Sequence, residues 1–119
     1  MEEKRSRQED YVRQVLDAYR RTPVTTGNVG RPDRLLAAQL HQRDVPLTAV
    51  ENALVLAAAR RLLRPANATP LAAVRSLAYF VPVINEVLQL KLSPDYFQYL
   101  RGKIAPFSSR ASPDPPTSR

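Results

Sequence analysis

The sequence predicts an all-α protein: a compact bundle of four to five helices with a proline-kinked fourth helix and a disordered C-terminal tail. Apolar residues recur at helical spacing along most of the 119 residues, and no segment alternates polar and apolar residues over the length of a strand. The β-branched residues that favour strands are sparse. The connections between apolar stretches are short, as they are in a compact bundle.

The first predicted helix covers residues 7–21 and follows a charged lead-in at residues 1–6. It ends at Thr22-Pro23, because the residue before a proline avoids helical backbone angles. Its apolar positions recur at the i, i+3, i+4 and i+7 spacing of one helix face. They are Val12, Val15, Leu16 and Tyr19.

The second and third predicted helices each carry a start signal. Pro32 fits the first turn of the second helix, and Asp33 there favours the positive end of the helix dipole. The second helix stops near Arg43. Thr48 and Glu51 have the spacing of a capping box that opens the third helix. This helix is apolar on every side and ends before Pro65, as expected for a helix buried among others.

The fourth predicted helix starts with Thr69 as N-cap and Pro70 in its first turn, and it runs to about Leu88. Pro82 lies inside it, where a proline removes a backbone hydrogen bond and costs about 3 kcal/mol in a regular helix. We therefore expect a kink, or a break into two short helices, between Ala78 and Pro82.

A short last helix is predicted at residues 96–100, opened by Ser93-Pro94-Asp95 and ended by Gly102. The helices together predict a single helical domain at residues 7–104. Residues 105–119 are rich in proline and serine, a composition typical of disorder. We expect a disordered tail there.

The composition argues against several chemistries. The chain has no cysteine and one histidine, which excludes disulfides, thiol nucleophiles and clusters of histidine metal ligands. Glu86 stands alone among the apolar residues of the fourth predicted helix, where a solvated position is favoured over a general base. We expect no catalytic residue, no metal site and no cofactor, and hence no enzyme.

Two further features concern location. No apolar run reaches the length of about 18 residues that a membrane span needs, and the charged N-terminus lacks the apolar stretch of a secretory signal. We expect a cytoplasmic protein that does not bind a membrane.

The charge points to an anionic partner. The net charge is +7, from 18 basic and 11 acidic residues, and fifteen of the basic residues are arginine. Arginine binds phosphate and base edges well. A GC-rich genome would produce the same arginine preference. We expect nucleic acid, with DNA favoured over RNA.

The strongest basic candidates lie between Asn52 and Glu86, an interval without acidic residues. The candidates are Arg60, Arg61, Arg64 and Arg75. For the first three, capping of a helix C-terminus is the alternative role.

Two other groups are weaker candidates. Arg31 and Arg34 follow a loop with the GxxG spacing of Gly27 and Gly30, next to a helix N-terminus that can attract phosphate. The last predicted helix interleaves aromatic and basic residues, which suits base stacking with phosphate contacts. Docking of that helix onto the bundle explains the same pattern. Its residues are Tyr96, Tyr99, Arg101 and Lys103.

Phe80, Ile84 and Leu88 follow one another at four-residue steps. With this spacing, residues 44–88 resemble the helical C-terminal domain of DnaD-type primosomal proteins, whose pattern has an aromatic residue, then isoleucine and tryptophan at the same steps. Leu88 replaces the tryptophan, and Pro82 interrupts the helix. The resemblance implies an all-α fold, a role in replication initiation, and DNA contacts near Phe80 and Ile84, with Arg75 nearby.

Two hypotheses follow. The leading one is a non-enzymatic nucleic-acid-binding protein, an accessory factor of DNA replication or of a mobile element that makes arginine–phosphate contacts. The alternative is a small all-α interaction subunit of a larger complex, including one that contains RNA, with a protein partner on the surface from Tyr79 to Leu100. Either function is compatible with an oligomer. The first predicts arginines on one exposed face, and the second predicts an exposed apolar patch around Tyr79, Val83 and Val87.

Overall fold

The computed structural model describes residues 2–65 and 67–111, and it describes side chains between residues 5 and 107 apart from Ala66. These residues form an all-α bundle, which confirms the predicted fold class. A 3₁₀ turn, Leu77–Phe80, precedes the fourth helix. The five α-helices are α1 (Glu2–Arg21), α2 (Arg31–Gln42), α3 (Leu47–Leu62), α4 (Val81–Gln89) and α5 (Pro94–Ala111).

Helix α3 lies at the centre and is buried from two sides, as its all-round apolar pattern predicts. On one side Val50 and Leu54 pack into a core built with α1, α2 and the 3₁₀ turn. On the other side Leu56 and Ala58 pack into a second core with α5. The other large residues of the two cores are Leu16, Tyr19, Leu40, Leu77, Phe80, Ile84, Phe97, Leu100 and Ile104.

Both terminal helices are longer than predicted. Helix α1 begins at Glu2, so the expected lead-in at residues 1–6 is mostly the first turn of the helix. Helix α5 continues through Gly102 and Pro106 to Ala111. Its buried residues Phe97, Leu100 and Ile104 repeat at helical spacing and pack against α3. The tail therefore does not begin at residue 105. The remainder of the predicted tail, residues 112–119, lies outside the described residues.

The capping box predicted at Thr48 is wrong. The N-cap lies two residues earlier, at Pro46, and helix α3 begins at Leu47. The extended backbone of Pro46 (φ −61°, ψ 142°) suits that position, and its carbonyl accepts from the N–H of Ala49 at 3.0 Å. Thr48 is exposed inside the first turn.

The kink predicted in the fourth helix is replaced by a break. The structure ends the 3₁₀ turn at Phe80 and begins α4 at Val81, so Pro82 lies in the first turn of α4. A proline is favourable there because the first N–H groups of a helix have no partner within it. The expected break into two short helices is met in part, because the residues before α4 form a 3₁₀ turn and no second α-helix.

The helix start predicted at Thr69-Pro70 is also wrong. The described residues from 67 to 76 form no helix. Instead Val74 pairs with the loop after α1: its N–H donates to the carbonyl of Val24 at 2.7 Å, and its carbonyl accepts from Thr26 at 2.9 Å. A contact so distant in sequence overrides the local helix signal. We call residues 67–80, which fold back against α3, the return segment.

One buried carboxylate joins α2 to the return segment. Asp33 is 6% exposed. Its Oδ2 accepts from the N–H of Gly30 at 2.8 Å, at the N-cap of α2, and its Oδ1 accepts from the N–H of Leu77 at 2.9 Å. Asp33 thus satisfies two backbone donors at the starts of two different elements.

We expect Asp33→Ala to lower the free energy of unfolding by about 2–4 kcal/mol, because it leaves the buried Leu77 N–H without an acceptor. Asp33→Asn keeps one side-chain oxygen and should cost about 1–2 kcal/mol. Urea unfolding followed by circular dichroism measures both changes. The control is Asp10→Ala, an exposed carboxylate expected to change stability by less than about 0.5 kcal/mol. Equal stability of the Asp33→Ala and Asp10→Ala variants would contradict the role of Asp33.

Candidate nucleic-acid interface

The return segment places Tyr79 against the arginines at the C-terminal end of α3. Arg61 donates to the Tyr79 hydroxyl at 3.1 Å and to the carbonyl of Ala72. Its guanidinium carbon lies 5.3 Å from the centroid of the Tyr79 ring, within cation–π range. Arg61 therefore holds two points of the return segment at once.

Arg64 makes a similar contact one turn further along. It donates to the carbonyl of Thr69 at 2.9 Å. Carbonyl and hydroxyl groups are neutral acceptors, so these contacts leave the positive charges of Arg61 and Arg64 uncompensated. Among the described residues neither arginine has an ion pair with a carboxylate.

Arg60 is different because it forms a bidentate ion pair with Glu86 of α4. The two N–O distances are 2.8 and 2.5 Å. The hydrogen bonds raise the pKa of Arg60 and lower the pKa of Glu86, so both groups stay charged at neutral pH. The charge of Arg60 is thereby largely cancelled.

A groove of about 380 Å³ brings these groups together. Its wall contains the Tyr79 ring, and Leu71 and Val83 supply apolar surface. We call it the arginine groove. A neighbouring groove of about 390 Å³ is also lined by Arg61 and Arg64. The lining residues of the arginine groove are Ala57, Arg60, Arg61, Arg64, Leu71, Tyr79 and Val83.

Arg75 is exposed, and within the described part of the chain its side chain has no hydrogen bond or ion pair. It lines neither of the two grooves. The structure thus brings together three of the four arginines predicted from the acid-free interval and leaves Arg75 on the adjoining return segment.

The contacts expected of Phe80 and Ile84 need correction. Phe80 is 0% exposed and Ile84 is 1% exposed. Phe80 packs edge-on against Tyr19, with ring centroids 6.0 Å apart. Both side chains belong to the core, so a ligand on the surface does not reach them. Leu88, the third position of the same pattern, is 40% exposed.

The candidates on α5 divide into two groups. Arg101 is half-buried and donates to Asn52 of α3 at 2.8 Å, so it fixes α5 to the bundle. Tyr99 is 58% exposed, with the Lys103 ammonium 5.7 Å from its ring centroid. Tyr96 is also exposed and lies near Arg60, whose pKa it raises further after the larger effect of Glu86.

The candidates on α2 lie apart from the arginine groove. Arg31 and Arg34 are exposed, and Arg34 shares a groove of about 370 Å³ with Arg13 and Arg20. The Gly30 N–H donates to Asp33, so half of the expected GxxG phosphate clamp is already used.

Most of the exposed large apolar residues fall between the end of α4 and the first half of α5. Val83 and Val87, expected in such a patch, are instead partly buried against both cores. The exposed residues, which we call the α4–α5 patch, are Leu88, Leu90, Leu92, Tyr96 and Tyr99.

The part of the chain that the structure describes has neither a metal-binding cluster nor a membrane-spanning helix. No three His, Cys, Asp or Glu side chains gather as a metal site there. None of the described helices has both the length and the apolar character needed to cross a membrane. Comparison with protein-family models, curated proteins and solved structures found no match for this chain.

Sequence reasoning missed the pairing of Tyr79 with Arg61. It had placed Tyr79 on a protein-binding surface. No local pattern links the two residues. They are 18 positions apart in the sequence and meet because the return segment folds back against α3. The adjacent aromatic residues Tyr79 and Phe80 were the available signal: in a 3₁₀ turn one of the pair is buried and the other is exposed.

Proposed function

We propose that this chain is a non-enzymatic nucleic-acid-binding protein whose arginines contact phosphates with little dependence on sequence. The observation that carries the proposal is the arginine groove. Arg61 and Arg64 both line it, and among the described residues no carboxylate pairs with either. The net charge of +7 adds a general attraction for polyanions.

The geometry leaves donors for a phosphate. A guanidinium has five N–H groups, and the contact with Thr69 uses one group of Arg64. A phosphate entering the groove would displace no carboxylate at Arg61 or Arg64. At Arg60 it would compete with Glu86, which lies on the same side of α3. Arg75 would add a contact outside the groove.

A place in DNA replication, as an accessory factor of a chromosome, phage or mobile element, is part of the same proposal. It rests on the resemblance of residues 44–88 to the DnaD-type helical domain and on the arginine content. The resemblance supports a role in DNA replication. It does not support Phe80 and Ile84 as contact residues, because both are buried.

The α4–α5 patch favours a second candidate, an interaction subunit of a larger complex that includes RNA-containing ones. Five large apolar or aromatic residues there are between 38% and 58% exposed. Clustered exposed apolar surface is typical of protein interfaces. This function predicts that the protein binds a partner protein through this patch, whereas the leading proposal needs only the arginine groove.

The first test removes phosphate contacts without touching the ion pair. Arg64→Gln combined with Arg75→Gln should weaken binding at least about tenfold, and the slope of log affinity against log salt should fall by about 1 for each lost contact. Fluorescence anisotropy with labelled single- and double-stranded DNA and RNA, at about 50 to 300 mM salt, measures both.

The matched control for that test is Arg13→Gln, an exposed arginine paired with Asp10 at 2.9 Å on α1. It should leave affinity nearly unchanged. Absence of binding at low salt by the folded wild-type protein would contradict the proposal, and so would an equal loss in the control.

The second test concerns the ion pair. Glu86→Gln removes a negative charge beside the groove and releases Arg60, so we expect affinity for nucleic acid to rise by about two- to fivefold at low salt. Anisotropy measures the change. The control is Glu51→Gln, whose carboxylate lines a separate groove with Arg21 and Arg101. A rise for Glu51→Gln but not for Glu86→Gln would move the binding site away from the arginine groove.

A further inference from the structure

We propose that Tyr79 is a stacking platform for one unpaired nucleobase, so that the arginine groove binds single-stranded nucleic acid in preference to duplex. This inference rests on the proposed function and deepens it, since it names the form of nucleic acid that the site takes. Phosphate contacts alone would bind either form.

The Tyr79 ring is both exposed and held in place. It is 45% exposed, although it belongs to a short 3₁₀ turn whose neighbours Leu77 and Phe80 are fully buried. Phe80 packs edge-on against it, with ring centroids 5.2 Å apart and planes at 81°. Its hydroxyl accepts from Arg61 at 3.1 Å. A ring fixed by its neighbours loses little conformational freedom when a base stacks on it.

The surroundings of the ring suit a nucleotide. Leu71 is 51% exposed and lines the same groove, so it adds an apolar surface beside the ring. Arg61 and Arg64 line the groove as well and supply positive charge that no carboxylate among the described residues pairs with. Aromatic surface beside cations is the combination by which proteins bind single strands, because bases stack while arginines hold phosphates.

Duplex nucleic acid uses this arrangement less well. In a duplex each base is stacked on its neighbours and paired, so its faces are closed to a protein ring unless the base leaves the stack. A single strand offers its bases freely. The Tyr79 ring therefore adds affinity for single strands and little for duplex, whereas Arg64 and Arg75 add affinity for both.

The test compares two probes of the same length: a labelled oligodeoxythymidylate of about 12 nucleotides, and a duplex of about 12 base pairs. We expect Tyr79→Leu to weaken single-strand binding by about tenfold and to change duplex binding by less than about twofold. Tyr79→Phe keeps the ring and loses only the hydroxyl that accepts from Arg61, so it should bind single strands much more tightly than Tyr79→Leu. Tyr99→Leu removes another exposed tyrosine and should have little effect. Circular dichroism confirms that each variant is folded.

A second variant reports stacking directly. The chain contains no tryptophan, so Tyr79→Trp places a single fluorophore at the platform. Stacking of a base on the indole should quench its fluorescence when the single-stranded probe binds, and the duplex should quench it much less.

The outcomes separate this inference from the proposed function. If no probe binds the folded wild-type protein, the proposed function fails. If both probes bind but Tyr79→Leu affects them equally, or Tyr79→Trp is quenched equally by both, the stacking platform is overturned and phosphate binding stands. Loss of single-strand binding in Tyr99→Leu instead of Tyr79→Leu would also overturn it.

Discussion

The position of the 3₁₀ turn in the bundle depends on the buried carboxylate of Asp33. It accepts hydrogen bonds from Gly30 at the start of α2 and from Leu77 at the start of the 3₁₀ turn. Those bonds fix the turn so that Leu77 and Phe80 enter the core, and Tyr79 is left on the surface against Arg61. Asp33, which does not itself line the arginine groove, thus decides which aromatic ring faces it.

The arginines at the end of α3 have two roles. Arg61 and Arg64 hold the return segment through neutral acceptors, which satisfy hydrogen bonds and leave the positive charge in place. Arg60 forms an ion pair with Glu86, which largely cancels its positive charge. Stability and affinity are therefore coupled more strongly at Arg61, which contacts two points of the return segment, than at Arg64, which contacts one. The arginine groove is thus both the contact between α3 and the return segment and a candidate binding site.

Helical periodicity was enough to predict the all-α class and the buried position of α3, since its apolar residues cover every face. It failed where distant contacts override local signals. The start predicted at Thr69 is absent, and Val74 pairs instead with the loop after α1. The candidate site was predicted in part, because the interval without acidic residues contains Arg60, Arg61 and Arg64, which line the arginine groove. The resemblance predicted DNA contacts near Phe80 and Ile84, but both side chains are buried. Residues of a helix that face the core and residues that face a ligand have the same spacing, so the pattern does not distinguish them.

The central claim is that nucleic acid binds where the return segment meets α3. The most direct measurement is amide chemical-shift mapping by NMR, with an isotopically labelled sample titrated with a short single-stranded DNA. The account predicts that the shifts concentrate at residues 57–64, 69–83 and Glu86, with few on the outer face of α1 around Arg13. Shifts confined to α5 near Tyr99, or to the N-terminal end of α2 near Arg34, would contradict it.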